Sequence, residues 1–384
     1  MKLLFLGNAT SWHVVPWVNF FANNHRTSLF SFIEPYAHSS DIKNVELVIS
    51  NGFFGLILKL FKIKKDNLYK LNRILSIPIA CIWLSIYVKK NKIEVIHAHS
   101  VFYGFVAFFI FSGKPIVFTP MGSDVLVNPK KSLLYKLMTR IAYVRPSIVT
   151  GDSYLIQKTG INYGADKKNN YVIQNGVNKT IFYPMEKNSD LLNYYNISHE
   201  ETVFYSPRQL EELYNIDIII NSLYEIKNKG YSFKCMFSYG PESTYTIELK
   251  ERIKEYNLES NIIWLDLLSH SEMAEHYNLS DLVISVPSSD SSPRSVYEAA
   301  FCKKPIITSD IKWTYEFFGN DSSLIRVPVR NQDSLTNLLI EFILDKSKFT
   351  SYADNTNKIA KEHFDFEINM KEMESLLYTL CNEK

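Results

Sequence analysis

Short apolar runs that alternate with helical segments constrain this 384-residue chain more than any other feature. "MKLLFLG" reads as a buried strand ending in a glycine-containing loop, and "WVNFFANN" after it has helical apolar spacing. "TSLFSF", "KIEVIHAH", "KPIVFTPMGSD", "SIVTGDS" and "NYVIQNGV" follow as strands, with "KSLLYKLMTRIAY" a helix among them. Such alternation implies a parallel sheet covered by helices on both faces. It breaks into turn residues at 175–184, "NGVNKTIFYP", a plausible domain boundary, then restarts with "TVFYSPR", "SFKCMFSYGPE", "NIIWLDL", "DLVISVPSS" and "KPIITSD". The expected fold is α/β: two doubly wound, Rossmann-like domains over 1–183 and 184–363, then a lone amphipathic helix over 364–384.

Composition agrees with a globular two-domain chain: 46% hydrophobic and 21% charged. A net charge of +2 gives no global reason to expect nucleic acid. Cys81, Cys235, Cys302 and Cys381 lack metal-type spacing and read as reduced thiols of a cytoplasmic protein. "MKLLFLGNATSWH" breaks its apolar run at Gly7 and Asn8, so no signal peptide is expected. Residues 74–88 and 101–111 fall short of the roughly 20 apolar residues of a membrane span and read as buried helices. Lys59, Lys62, Lys64, Lys65, Lys70 and Arg73, interleaved with apolar residues, read either as a solvated helix face or, with 53–61, as a membrane-surface contact.

Tandem doubly wound sheets leave a cleft where their strand C-termini face each other, and loops and helix N-termini there suit an anionic, phosphorylated ligand. Residues 288–307 open with "SSD" and continue as "SSPRSVYEAAFCKKPII", so that Asp290 and Glu298 bracket a polar turn between a strand and a helix. Acids at a helix start are also favoured by the dipole alone.

Six segments in order resemble a retaining glycosyltransferase of family 4, with the GT-B fold and its C-terminal helix crossing back to the first domain. They are "SWHVVPWVNFFANNH", "IHAH" followed by "KPIVFTPMGSD", "NGVN", "SPRQLEELYNID", "LSDLVISVPS", and Asp290 with the "SSPRSVYEAAFCKKPII" that follows it. The last resembles the family's acid, seven residues and "EA" before "G-x-PVI", with Asp290 where Glu is usual and Lys303 where Gly is common.

The resemblance implies a nucleotide-sugar donor, with a UDP-sugar first among the expectations. Glu298 would accept from the ribose hydroxyls and Asp290 from hydroxyls of the transferred sugar. Backbone amides near Arg294 and Ser295 would face the diphosphate, with Arg208 as its cation and Gly240 and Asp266 as further donor-site positions. The family's second cation has no counterpart, because Tyr214 aligns there, and Arg294 is expected in its place. His13, His99 and Asp124 would serve catalysis from the first domain, with Met121 where the family often carries His. No nucleophile is assigned, and no metal or other cofactor is expected: there is no Asp-x-Asp, and GT-B transfer is metal-independent.

The expected activity is transfer of a hexose or N-acetylhexosamine to a glycan acceptor, lipid-linked, in bacterial surface polysaccharide or lipopolysaccharide synthesis. The expected location is cytoplasmic, on the inner face of the membrane. Two rivals stand beside it: a sugar-nucleotide epimerase of the same fold, and a non-catalytic nucleotide-sugar-binding partner of another transferase.

Overall fold

The structure, a computed structural model, describes residues 1–11, 13–32, 42–49, 65–198, 200–238, 240, 242–319 and 322–382, with 65–74 described in backbone only. The basic-apolar run at 53–64 therefore lies outside the described residues, as do the side chains of Lys65, Lys70 and Arg73. The chain forms two compact units, Met1–Asn175 with Ile368–Lys384, and Gly176–Glu367. The sequence places these divisions after residues 183 and 363.

The first unit is a seven-stranded parallel sheet. Its strands are β1 (Lys2–Leu6), β2 (Arg26–Ser31), β3 (Glu46–Ile49), β4 (Val95–His99), β5 (Ile116–Thr119), β6 (Ile148–Gly151) and β7 (Asn170–Val172), in the order β3-β2-β1-β4-β5-β6-β7. The second is a six-stranded parallel sheet of β8 (Thr202–Ser206), β9 (Phe233–Phe237), β10 (Ile262–Trp264), β11 (Leu282–Ser285), β12 (Ile306–Ser309) and β13 (Ile325–Val327), in the order β10-β9-β8-β11-β12-β13. Every residue of β4, β5, β8 and β11 is buried. That is why these strands read as unbroken apolar runs: helices cover both faces of a parallel sheet. The sequence pattern does not single out the edge strands β3 and β13.

Both sheets reverse direction once, between β1 and β4 and between β8 and β11. Ligands of doubly wound sheets bind beyond the strand C-termini at such reversals. The "NGVN" turn closes the second unit on itself. Gly176 has φ +70°, and a Cβ there would lie 2.5 Å from the backbone Cα of Phe366. Its neighbour Val177 donates its N–H to Phe364 O at 2.7 Å and accepts from the Phe366 N–H at 3.1 Å. The last helix, Phe366–Asn382, starts at this contact, and from Ile368 it belongs to the first unit, where Glu374 Oε1 meets His25 Nε2 at 2.6 Å.

One sequence expectation is corrected. Residues 74–88 do not form a buried helix. They belong to the helix Lys65–Lys90, which buries Ala80, Cys81, Leu84 and Val88 and exposes Leu75, Ile79, Ile82, Trp83 and Ile86. Among the described residues no helix is long and apolar enough to cross a membrane.

Candidate active site

The reversal in the second sheet brings the loop after β8 against the loop after β11. Arg208, two residues past β8, donates through Nη2 to Asp290 Oδ2 at 2.7 Å and through Nη1 to Ser295 Oγ at 3.0 Å. Its guanidinium carbon lies 4.1 Å from the centre of the Tyr214 ring. Tyr214, at the position of the missing second cation, thus supplies no charge but holds the first one by its π-face. The other oxygen of Asp290 accepts from the Ser291 N–H at 2.8 Å.

The helix Arg294–Phe301 begins at Pro293, which offers no side-chain cap to the first-turn amides. Pro in that place costs no hydrogen bond, because the first N–H groups of a helix have no internal acceptor. One turn in, Glu298 is buried, with Arg294 Nε donating to Oε1 at 2.9 Å and the Tyr277 hydroxyl to Oε2 at 3.2 Å. Burial pushes the Glu298 carboxyl above its ordinary range, against the pull of Arg294 and the two hydrogen bonds. Tyr277 also reaches Ser295 O at 3.0 Å, tying the helix Arg294–Phe301 to the helix His270–Leu279.

Asn215 also joins the same two loops. It sits at φ 53°, a left-handed conformation that Asn tolerates. Its amide donates to Val286 O at 2.8 Å and Ser288 Oγ at 3.0 Å, and Arg330 Nη1 donates to its carbonyl oxygen at 2.7 Å. Gly240, after β9, faces the loop that carries Arg208: a Cβ there would come within 2.6 Å of Leu210 Cβ. The structure thus gathers Arg208, Asp290, Arg294, Ser295 and Glu298, with Gly240 alongside. Asp266 stands apart, exposed after β10, two strands from β8.

In the first unit the residues marked by sequence meet at the C-terminal ends of β1, β4 and β5. His99 is buried with its ring 4.4 Å from that of His97, and the Trp17 ring packs T-shaped against both. Neither His99 ring nitrogen has a hydrogen-bond partner among the described residues. Burial, with the nearby His13, pulls His99 down to about 3, so it is neutral at any ordinary pH. His13 itself is exposed, at the start of the helix Val14–Ala22. Asp124 is buried and clamps two loops: Oδ2 accepts from the Val101 N–H at 2.6 Å and Oδ1 from the Met121 N–H at 2.9 Å. Burial drives its carboxyl up to about 7 in spite of those bonds. Between His99 and Val101, Ser100 is held at φ 76°, ψ 155°, a conformation strained for a residue with a side chain. Among the described residues no three His, Cys, Asp or Glu side chains are grouped to hold a metal.

Two family models tile the chain: "Glycosyltransferase Family 4" over residues 22–180 and "Glycosyl transferases group 1" over 187–363. The chain belongs to the group 1, family 4 glycosyltransferases. Its fold is GT-B, shared with HepE from Anabaena, solved with UDP, at TM-score 0.80, 17% identity, and coverage of 99% of this chain and 100% of that one. Sucrose-phosphate synthase from Thermosynechococcus elongatus matches at TM-score 0.78 and 13% identity over 100% of both chains. The lipopolysaccharide outer core galactosyltransferase WaaB matches at TM-score 0.68 and 15% identity over 99% of both. No curated protein matches the chain by sequence.

Tyr277 and Asn215 are two members of this candidate site to which sequence reasoning assigns no role. Tyr277 carries no motif, and Asn215 lies in "SPRQLEELYNID" with no role that the segment alone shows. The one available signal for Tyr277 is that a buried carboxylate needs hydrogen-bond donors besides the arginine one turn away.

Proposed function

We propose that this glycosyltransferase moves a hexose or N-acetylhexosamine from a UDP-sugar to a glycan acceptor, with retention of configuration and without a metal ion. The observation that carries the reading is the pairing of Arg208 with Asp290 and of Arg294 with Glu298, at the strand ends beside the sheet reversal. Two cations suit a leaving diphosphate and two carboxylates suit hydroxyl groups, within reach of one donor molecule.

In this reading Glu298 accepts from the ribose hydroxyls and Asp290 from those of the sugar. Arg208, Arg294 and the amides near Ser295 take the diphosphate, while Gly240 borders the donor. The bond from the anomeric carbon to the diphosphate oxygen breaks as the acceptor oxygen bonds to the same face. The acceptor's proton leaves with the diphosphate. No side-chain nucleophile takes part, so charge stabilisation at the leaving group is the main contribution of the protein. His13, neutral His99 and Asp124 serve the acceptor side.

HepE, solved with UDP and with UDP-glucose, and WaaB, a lipopolysaccharide galactosyltransferase, support a UDP-sugar and a surface-glycan acceptor. The proposed acceptor is lipid-linked, at the inner face of a bacterial cytoplasmic membrane. A thermal-shift screen against UDP-, GDP- and ADP-sugars, followed by donor turnover with EDTA present, tests the reading. Stabilisation by a UDP-sugar and slow release of free sugar are expected. An isomerised nucleotide sugar would make the protein an epimerase. Binding without turnover would make it a non-catalytic partner, as Met121, Tyr214 and Asp290 would allow.

A further inference from the structure

The helix Lys65–Lys90 is apolar on two sides, and the core takes only one of them. Leu75, Ile79, Ile82, Trp83 and Ile86 recur at helical spacing along the other, with Ile82 65% and Ile86 60% exposed. Single exposed apolar residues need no explanation, but a contiguous stripe does. Between this stripe and the helix Val101–Phe108 opens a groove of about 670 Å³, lined by Ile77, Cys81, Ile86, Phe105 and Phe109. Phe111, 71% exposed, also borders it, and Lys89 is its one charged residue among those described. The Phe111 N–H donates to Ser85 Oγ at 3.0 Å, which fixes the aromatic loop to the helix.

A second amphipathic helix ends against the same loop. Arg145, just past the helix Leu133–Val144, donates through Nη1 to Phe108 O and Ile110 O, both at 2.8 Å. That helix exposes Leu133 (86%), Leu134, Leu137 and Val144, and Lys130, Lys131, Lys136 and Arg140 are exposed on and before it. Basic residues accompany both helices, with Lys89 and Lys90 exposed at the end of the helix Lys65–Lys90. Residues 67–151 hold eleven Lys and Arg against two acids, Glu94 and Asp124, a net +9 in a chain whose total is +2. Asp124 is buried and both its oxygens are occupied by backbone N–H groups.

A second copy of this chain on that face would set like charges against each other. An anionic bilayer satisfies both features, taking the apolar stripe into its acyl boundary and the lysines among its headgroups. We infer that this face of the first unit docks on an anionic membrane surface, with Ile82, Trp83, Ile86 and Phe111 inserted and a lipid chain in the groove. The helix lies in the interface, and Trp83, apolar with a polar edge, suits that depth. The inference deepens the lipid-linked acceptor reading by naming the surface that would bring the enzyme to its acceptor.

Vesicle co-sedimentation of the full chain tests it, with neither donor nor acceptor present, so that its failure is distinct from failure of the transferase reading. Binding is expected to vesicles with about a third phosphatidylglycerol and to be at least ten-fold weaker on pure phosphatidylcholine. The double change Ile82→Glu with Ile86→Glu, at exposed positions, is expected to weaken binding at least ten-fold while circular dichroism and melting stay as in the parent. Lys89→Gln and Lys90→Gln are each expected to weaken it about five-fold. The inference is overturned if the parent stays in the supernatant with anionic vesicles, or if the double variant sediments like the parent. It is equally overturned if the face proves to join two copies in solution, seen as a dimer that the double change dissociates and that ignores vesicles.

Discussion

Arg208 Nη2 lies 2.7 Å from Asp290 Oδ2, each side chain mostly buried, and the pair spans the reversal of the second sheet. The cation expected on the diphosphate and the acid expected on the sugar thus hold each other. Removing Asp290 frees Arg208 for an anion while taking away an acceptor for sugar hydroxyls. Asp290→Ala is therefore expected to bind UDP as well as or more tightly than the parent in calorimetry. Turnover of the intact donor should fall about 10- to 150-fold, the loss of one charge-assisted bond. UDP affinity falling in step with turnover would place Asp290 on the nucleotide instead.

Tyr214 turns the same reasoning on the second cation. Its ring fixes the guanidinium from one side while Asp290 and Ser295 take the fork. Tyr214→Ala is expected to weaken diphosphate binding by about 0.5–2 kcal/mol, the range of a cation–π contact, and Tyr214→Phe to leave it unchanged. Arg208→Lys should lose more than either, since an ammonium can neither stack nor form the two-armed contact. Equal affinities of the Ala and Phe variants for UDP would show that the ring does not act on Arg208.

The central strands were readable because burial on both faces makes each a near-continuous apolar run, and Asp290 and Glu298 because both lie on one local strand–turn–helix segment. Tyr277 was not, since it meets Glu298 from another helix, 21 residues away in sequence. Asn215 meets Ser288 across 73 residues, a contact that only the strand order creates. The stripe Leu75–Ile86 escaped for a different reason. Apolar residues at helical spacing look alike whether they face a core or a bilayer, and a helix apolar on two sides carries little contrast to read.

Glu298 should reveal itself through pH. Its carboxyl is held above the usual range by burial, so it takes up a proton earlier on acidification than a solvated glutamate. A protonated carboxyl loses the charge that strengthens its bonds to ribose hydroxyls. Uridine affinity is therefore expected to fall with decreasing pH from above 4.5, and Glu298→Gln should be weaker at neutral pH but flat over the same range. Glu298→Ala should cost about 10- to 150-fold in nucleotide affinity. Calorimetry of uridine across pH distinguishes these, and a parent profile as flat as that of the Gln variant would remove Glu298 from the ribose.

His97 and His99 make the first unit sensitive to acid, and Asp124 opposes them. Both rings are buried beside Phe5, which holds His99 at about 3 and His97 well below the usual 6.5. Unfolded, each takes a proton near 6.5, so below that pH the unfolded chain binds more protons and stability falls. Asp124 runs the other way: raised to about 7 from an unfolded 3.8, it keeps its proton in the folded state, and its burial penalty fades as pH drops from 7 toward 4. Two histidines against one aspartate leave a net loss of stability as the pH falls below 6.5. Denaturant unfolding of the full chain at a series of pH values should show that decline. Replacing both histidines by Asn should abolish or invert it, and Asp124→Asn should steepen it. A decline of unchanged slope in the double histidine variant would mean that the acid sensitivity arises elsewhere in the chain.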